Sequence, residues 1–310
     1  MNGAGAPDLG GIMKHRVLLA VTLAAAVPAH AESVTMTGKF AAPNREVAML
    51  RSLAVERFSG RDGAALALAV ERTLGGTEHF EMVAAGARDA TGIVSGAVST
   101  GVDENPYRET ETKCVERKDG KCVKEEKRQL RCTRRIVELR ADVRVAATAD
   151  HRVLYSAELP RRDETTWCEG EEPSRTVESV VRGMIQSVAD EFRAQVTPEV
   201  KRYSVRFRES AKGLPKAMEK DFKAIVRQTQ TDLTGACTAW RAMDTAVPGH
   251  PSILFDLGLC AEAAGDHARA LEFYERAQPL LGRDSEAMTG AGRIRSLIAA
   301  REDDAARDGS

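Results

Sequence analysis

The residues in this sequence best suited to chemistry are its six cysteines, Cys114, Cys122, Cys132, Cys168, Cys237 and Cys260. Their spacing supports cross-linking more than catalysis. An even set in an oxidising compartment pairs as disulfides. Zinc is the rival chemistry, and it wants thiolates two to four residues apart or a histidine pair nearby. Here seven residues separate Cys114 from Cys122 and nine separate Cys122 from Cys132. No histidine pair accompanies them, so disulfides are expected and no metal. The six histidines are scattered; His79 and His151 fall at strand starts or turns, where a solvated role is the simple one. Gly92-Ile-Val-Ser95-Gly96 carries its serine one place too late for a nucleophile elbow. Ser59-Gly-Arg-Asp-Gly63 lacks the Gly-Lys-Ser/Thr ending of a phosphate loop. The expectation is a protein that is not an enzyme, with no catalytic residue and no cofactor; a hydrolase built from distant residues is the last alternative.

A second chemical feature is the basic run Lys127, Arg128, Arg131, Arg134 and Arg135. It lies in a doubly charged, cysteine-bearing stretch, 103–135, and could bind an anionic polymer. The plain alternative is a solvated strand face, since Glu and Asp are interspersed nearby. The chain as a whole has a formal net charge of −1 and 5% aromatic residues. Neither feature points to nucleic acid, which is recognised by basic surfaces and base-stacking platforms.

Lys14, His15 and Arg16 precede an apolar run from Val17 to Val27 and then Pro28-Ala29-His30-Ala31. That pattern is a secretory signal peptide with an A-x-A cleavage site, and translation can begin at Met1 or Met13. The apolar run is too short to span a bilayer, and no other stretch comes near the required length. Removing residues 1–31 takes away Lys14, Arg16 and Asp8, leaving 43 basic against 45 acidic residues, a net −2. A soluble periplasmic protein is expected, with outer-membrane association as a variant.

Elements must hold these groups in place. Val137, Leu139, Ala141, Val143 and Val145 alternate with charged residues, as do Val153, Tyr155, Ala157 and Leu159. These are two half-buried strands around a turn near Asp150. A slip by one residue would put one apolar set in water, so partners must sum to an even number. Centring on Asp150 pairs Val145 with Tyr155 and Val143 with Ala157; extended past Pro160, the register sets Cys132 opposite Cys168. Cys114 and Cys122 then pair by elimination, although a two-residue Asp119-Gly120 turn would set Arg117 opposite Cys122. Upstream, Leu53–Phe58 reads as a strand, 59–63 as a turn, and a helix follows to Leu74. Phe80–Ala84 and Gly92–Val98 read as further strands. A helix over Ser174–Gln195, with Pro173-Ser174 as its cap, shows Val177, Val180, Val181, Met184, Ile185, Val188 and Phe192 on one face. Pro198 ends it, and Tyr203–Phe207 is a last strand.

Pro251–Gly282 forms two amphipathic helices joined at Gly265-Asp266. Leu254, Leu257, Gly258, Gly265, Ala270, Tyr274 and Ala277 stand where a 34-residue tetratricopeptide repeat wants them, and the stretch resembles that family. Small residues let the helices approach, and Tyr274 fills the space between them. On the same frame Met288, Ala291 and Gly292 begin a capping helix over Ser285–Ala300. Ala236, Trp240 and Pro248 mark a degenerate upstream unit, in whose first helix Lys220 and Lys223 occupy apolar positions. A plain helical bundle is the alternative. The frame puts Cys237 and Cys260 on adjacent helices at buried positions, so they are expected to pair.

LAVERFSGRDG, a helix, HFEMV and GIVSGAV, then a long strand pair ending in a helix, resemble the TolB-type domain shared with the curli secretion-channel assembly family. In that family a later strand carries an apolar-Gly-x-Val signature, here within Val94–Val98. The resemblance implies an α/β fold over about Ser52–Phe207 and an envelope-assembly setting. The family's lipid anchor and membrane-inserting strands have no counterpart in this sequence. The expected layout is an α+β protein: leader 1–31, TolB-like domain 32–207 with the insertion 103–135, linker 208–216, an all-α repeat domain 217–302 and a disordered tail 303–310. The expected role is a periplasmic adaptor or assembly factor that binds envelope proteins through its repeats. The alternative is a regulator of peptidoglycan or envelope-polymer metabolism holding an anionic glycan on the basic insertion.

Overall fold

Apolar residues at every second position from Val137 to Val145 make one buried strand face, and that strand is the spine of the molecule. The computed structural model describes residues 32–283 and 285–309, so the expected leader and its cleavage site lie outside the described residues. Glu32–Ser310 is one compact unit with mixed α and β structure and a helical C-terminal region. In chain order it holds β1 (Ser33–Phe40), α1 (Arg45–Ala48), β2 (Ser52–Val55), α2 (Gly63–Gly75), β3 (Glu81–Val83), β4 (Gly92–Lys118) and β5 (Lys121–Ala147). Then come β6 (Val153–Cys168), α3 (Val177–Val196), β7 (Glu199–Arg206), α4 (Lys216–Gln228), α5 (Leu233–Ala246), α6 (Pro251–Ala263), α7 (His267–Leu281) and α8 (Glu286–Asp308).

The main sheet has the order β3-β2-β4-β5-β6. β2 runs parallel to β3 and β4, and β4, β5 and β6 are antiparallel neighbours. Val145 pairs with Tyr155, Val143 with Ala157 and Cys132 with Cys168. Pro160 does not break the ladder because β6 is an edge strand, where a missing N–H costs no sheet bond. One face of the sheet packs on α2 and α3, burying Val94, Val98, Leu139, Val143, Leu66, Val70, Val188 and Phe192 in one core. Helix α3 begins at Val177, later than the Pro173-Ser174 cap expected, because the Thr176 hydroxyl accepts from the Ser179 amide and so caps the first turn.

The segment 103–135, expected as an insertion, is the outer part of one continuous hairpin, β4–β5, whose turn is Asp119-Gly120 with φ of 51° and 77°. Two features depart from the sequence reading. Strand β7 does not join the main sheet. It pairs antiparallel with β1 along its whole length, and Val34, Met36, Phe40, Val205 and Phe207 join the core of the helical region. The stretch 303–310, expected to be disordered, continues α8 to Asp308. Arg307 donates to the carbonyls of Ala48, Leu50 and His79, and Asp303 and Asp304 pair with Arg45 and Lys39.

The helical region stacks α4 to α8. Tyr274 is fully buried; a Cβ on Gly258 would lie 2.8 Å from its ring and one on Gly290 3.0 Å. Leu254, Leu257, Ala270 and Ala277 are buried around it, and Gly265 turns the chain at φ 75°. The frame extends to α8 less well than its spacing implies. Met288 is exposed and Gly292 faces open space, whereas Gly290 makes the close approach. Lys220 and Lys223 avoid burial by facing solvent, leaving Phe222, Ile225 and Val226 to pack.

Candidate functional site

Beyond the Cys132–Cys168 pairing, β4 and β5 have no neighbouring strand among the described residues. They continue as a two-stranded arm to the Lys118–Lys121 pair. At roughly 3.4 Å per residue the part from Cys132 to Lys121 reaches about 37 Å. A lone ribbon of this kind is marginal in water. Two disulfides brace it: Cys132–Cys168 at its base and Cys114–Cys122 near its tip. The ladder does set Arg117 opposite Cys122, but paired irregularities around Glu116 shift the register, and the α-carbons of Cys114 and Cys122 stand 5.8 Å apart. The third bond joins Cys237 on α5 to Cys260 on α6. Three disulfides are compatible with an extracytoplasmic protein. Among the described residues no helix is long and apolar enough to cross a membrane.

The basic run does not gather into one patch. Strand residues alternate in direction, so adjacency in sequence separates them. Lys127, Arg131 and Arg135 lie on the ribbon face continuous with the core, and Arg128 and Arg134 on the opposite face. Arg135 is buried: its guanidinium donates to the Arg175 carbonyl, lies 4.0 Å from Glu104 and sits 5.3 Å over the Trp167 ring. Arg134 pairs with Glu164 and covers Tyr107.

The same alternation sorts charge that looks mixed in sequence. On the core-side face, the rows Pro106–Thr133, Arg108–Arg131, Thr110–Gln129 and Thr112–Lys127 hold cations, hydroxyls and an amide but no carboxylate. Glu169, from beyond β6, reaches this face at 3.9 Å from Arg131. The opposite face carries Glu109, Glu111 and Glu126 among Lys113, Arg128 and Arg134. Periodicity of two was the available signal; reading the basic residues as a linear run concealed it. Half-buried Trp167 flanks Thr133 at the base of the basic face.

In the helical region, α6 is buried nearly all round. The β1–β7 ribbon lies against it and against α8: the Arg208 amide donates to Asp256 at 2.8 Å and the Ala41 amide to the Ser296 carbonyl. Tyr203 and Tyr274 hydroxyls both donate to Glu262, whose carboxylate takes two further bonds from Arg293 at 2.6 and 2.7 Å. Burial, then the Glu262 charge, pushes the Tyr203 phenol up to about 12 and that of Tyr274 well above its usual value. Both phenols therefore stay protonated donors, and the cluster is a clamp with every acceptor filled. Asp256 is fully buried with one oxygen unpartnered; burial raises its carboxyl well above the ordinary range despite the Arg208 amide. A groove of about 590 Å³ remains on the helices, lined by Leu233, Arg241, Leu257, Arg269, Glu272 and Phe273. Among the described residues the one group spaced for a metal ion is Glu109, Cys132 and Cys168, and both of its thiols are in a disulfide.

No protein-family model matches this chain, and no curated protein matches its sequence. Among solved structures the chain is similar to a dodecamer of a PelC variant from Paraburkholderia phytofirmans. The two are 17% identical over 53% of this chain and 98% of that one, with a TM-score of 0.26, a superposition too loose to carry fold or function across.

Proposed function

We propose that this protein is a non-enzymatic periplasmic adaptor in which a rigid body, of TolB-like α/β and tetratricopeptide-like helical parts, holds out the β4–β5 arm as its binding element. The observation that supports this reading is the arm. Beyond its base it pairs only with itself among the described residues, contributes nothing to either core, and is braced by two disulfides. Ordering so many exposed residues costs conformational entropy that their own packing does not offset. A binding role supplies a reason for the expense. The face of α6 turned to β1 and β7 is occupied by the chain itself, which argues against that face as the partner site. A second reading keeps binding on the helices and places it in the open groove beside the Cys237–Cys260 bond.

An Asn-Gly turn in place of residues 108–131 joins Tyr107 to Cys132, which already face each other, and spares the basal disulfide. The arm reading expects this shortened chain to fold and to lose the partners captured by the full chain from envelope extracts. Capture unchanged by shortening, and abolished by Phe273→Glu, would instead establish the groove.

A further inference from the structure

We infer that the core-side face of the arm binds a linear, carboxylate-bearing polysaccharide. This rests on the arm being the binding element and names what it takes. Arg108 and Arg131 are directly opposite on the ladder, both exposed. Like charges in that relation repel and destabilise a hairpin. Arg108 has no ion pair among those described, and Arg131 has only the loose one with exposed Glu169. A ligand carboxylate set between the two guanidinia would relieve the repulsion and accept charge-assisted hydrogen bonds from both. Lys127 repeats a cation four residues further out on β5, about 13 Å away at ordinary strand rise. Thr110 and Gln129 lie between, already bonded to each other at 2.7 Å, and have lone pairs and protons left for hydroxyl groups. The ligand is thus extended, anionic at intervals and hydroxylated between.

Other polyanions fit less well. A protein partner needs buried apolar or aromatic anchors, and the rows from Arg108–Arg131 to Thr112–Lys127 offer none. A lipid surface needs apolar side chains to insert, which those rows also lack. Single-stranded nucleic acid needs successive stacking platforms, and this face has one aromatic ring, Trp167. One half-buried indole at the end of a basic, hydroxyl-lined track suits the apolar C–H face of a single sugar ring.

The test is a titration of the full chain with polygalacturonate at physiological salt, reading tryptophan emission. Trp240 is fully buried among the helices, so a change reports on Trp167. The expected result is saturable binding with a shift in emission. Arg108→Gln/Arg131→Gln should weaken it at least tenfold, and Lys113→Gln/Arg128→Gln on the opposite face less than twofold. Neutral dextran should not bind. No binding by the parent, or equal loss in the two double variants, overturns the assignment. If polyglutamate binds as tightly as polygalacturonate, the glycan class is wrong while the arm stands. If the shortened chain binds polygalacturonate as well as the parent does, the arm reading itself falls.

Discussion

Gly258→Ala adds one methyl group where the structure leaves no room. The new Cβ would stand 2.8 Å from both Cδ1 and Cε1 of Tyr274 and 3.2 Å from Cγ. The ring cannot retreat easily, because Gly290 crowds its other side and its hydroxyl is held by Glu262 at 2.6 Å. Overpacking of this kind costs about 1–3 kcal/mol. Replacing a helical glycine returns about 1 kcal/mol. With both exits blocked, a net loss of about 1–2 kcal/mol follows, or roughly 2–8 °C in Tm for a chain of this size. Gly292→Ala is the matched control, since it gains the same helix propensity on α8 and its Cβ would meet nothing within 4 Å. It should raise Tm by roughly 2–4 °C. Thermal melting followed by circular dichroism reads both variants side by side. Equal shifts, in either direction, would refute the claim that close approach to Tyr274 organises the helices.

Cys237→Ala/Cys260→Ala opens a loop of sequence separation 23 and should cost about 3 kcal/mol by the chain-entropy model, seen as earlier helical melting under oxidising conditions. Asp256→Asn mimics the neutral acid. Because the folded carboxyl titrates above its unfolded value, its contribution is complete at low pH and lost as pH rises through the folded value. The variant should therefore out-melt the parent at pH 8, with the gap closing towards pH 4. Arg307→Ala frees three backbone carbonyls, and amide exchange over 303–308 should quicken about tenfold or more. His79 is held below its usual value by burial, against its bond to the Ala48 carbonyl. The fold therefore favours its neutral form, and stability present above the ordinary histidine value is lost as pH falls below that value through the lower folded one; His79→Gln should flatten the melting profile over that acid range.

The sheet's register was legible in the sequence because only one pairing buries both Val137–Val145 and Val153–Leu159, and Cys132 falls opposite Cys168 in that pairing. The helical hairpin was legible because a large ring against glycine leaves a spaced pattern, as Tyr274 against Gly258 does. Long-range placement left no local trace. Nothing within β1 or β7 says that they pair with each other on α6 and α8, since that depends on groups far apart in the chain, Tyr203 with Glu262 and Arg208 with Asp256. Helix α8 outruns its expected end for the same reason, because Arg307 finds its acceptors more than two hundred residues upstream. On the arm the difference between sequence and structure is one of dimension. Lys127 to Arg135 is a cluster along a line, whereas a pleated ribbon divides it between two faces.

The arm as the binding element is tested most directly by a photo-reactive residue placed at Thr110, on the basic face, or at Glu111, its neighbour on the opposite face. Each variant would be expressed in the source cells and irradiated there, with the same residue at Phe273 marking the helical groove. The account predicts a heavier adduct from position 110 and none from 111 or 273. Adducts from position 273 with a silent arm would contradict it.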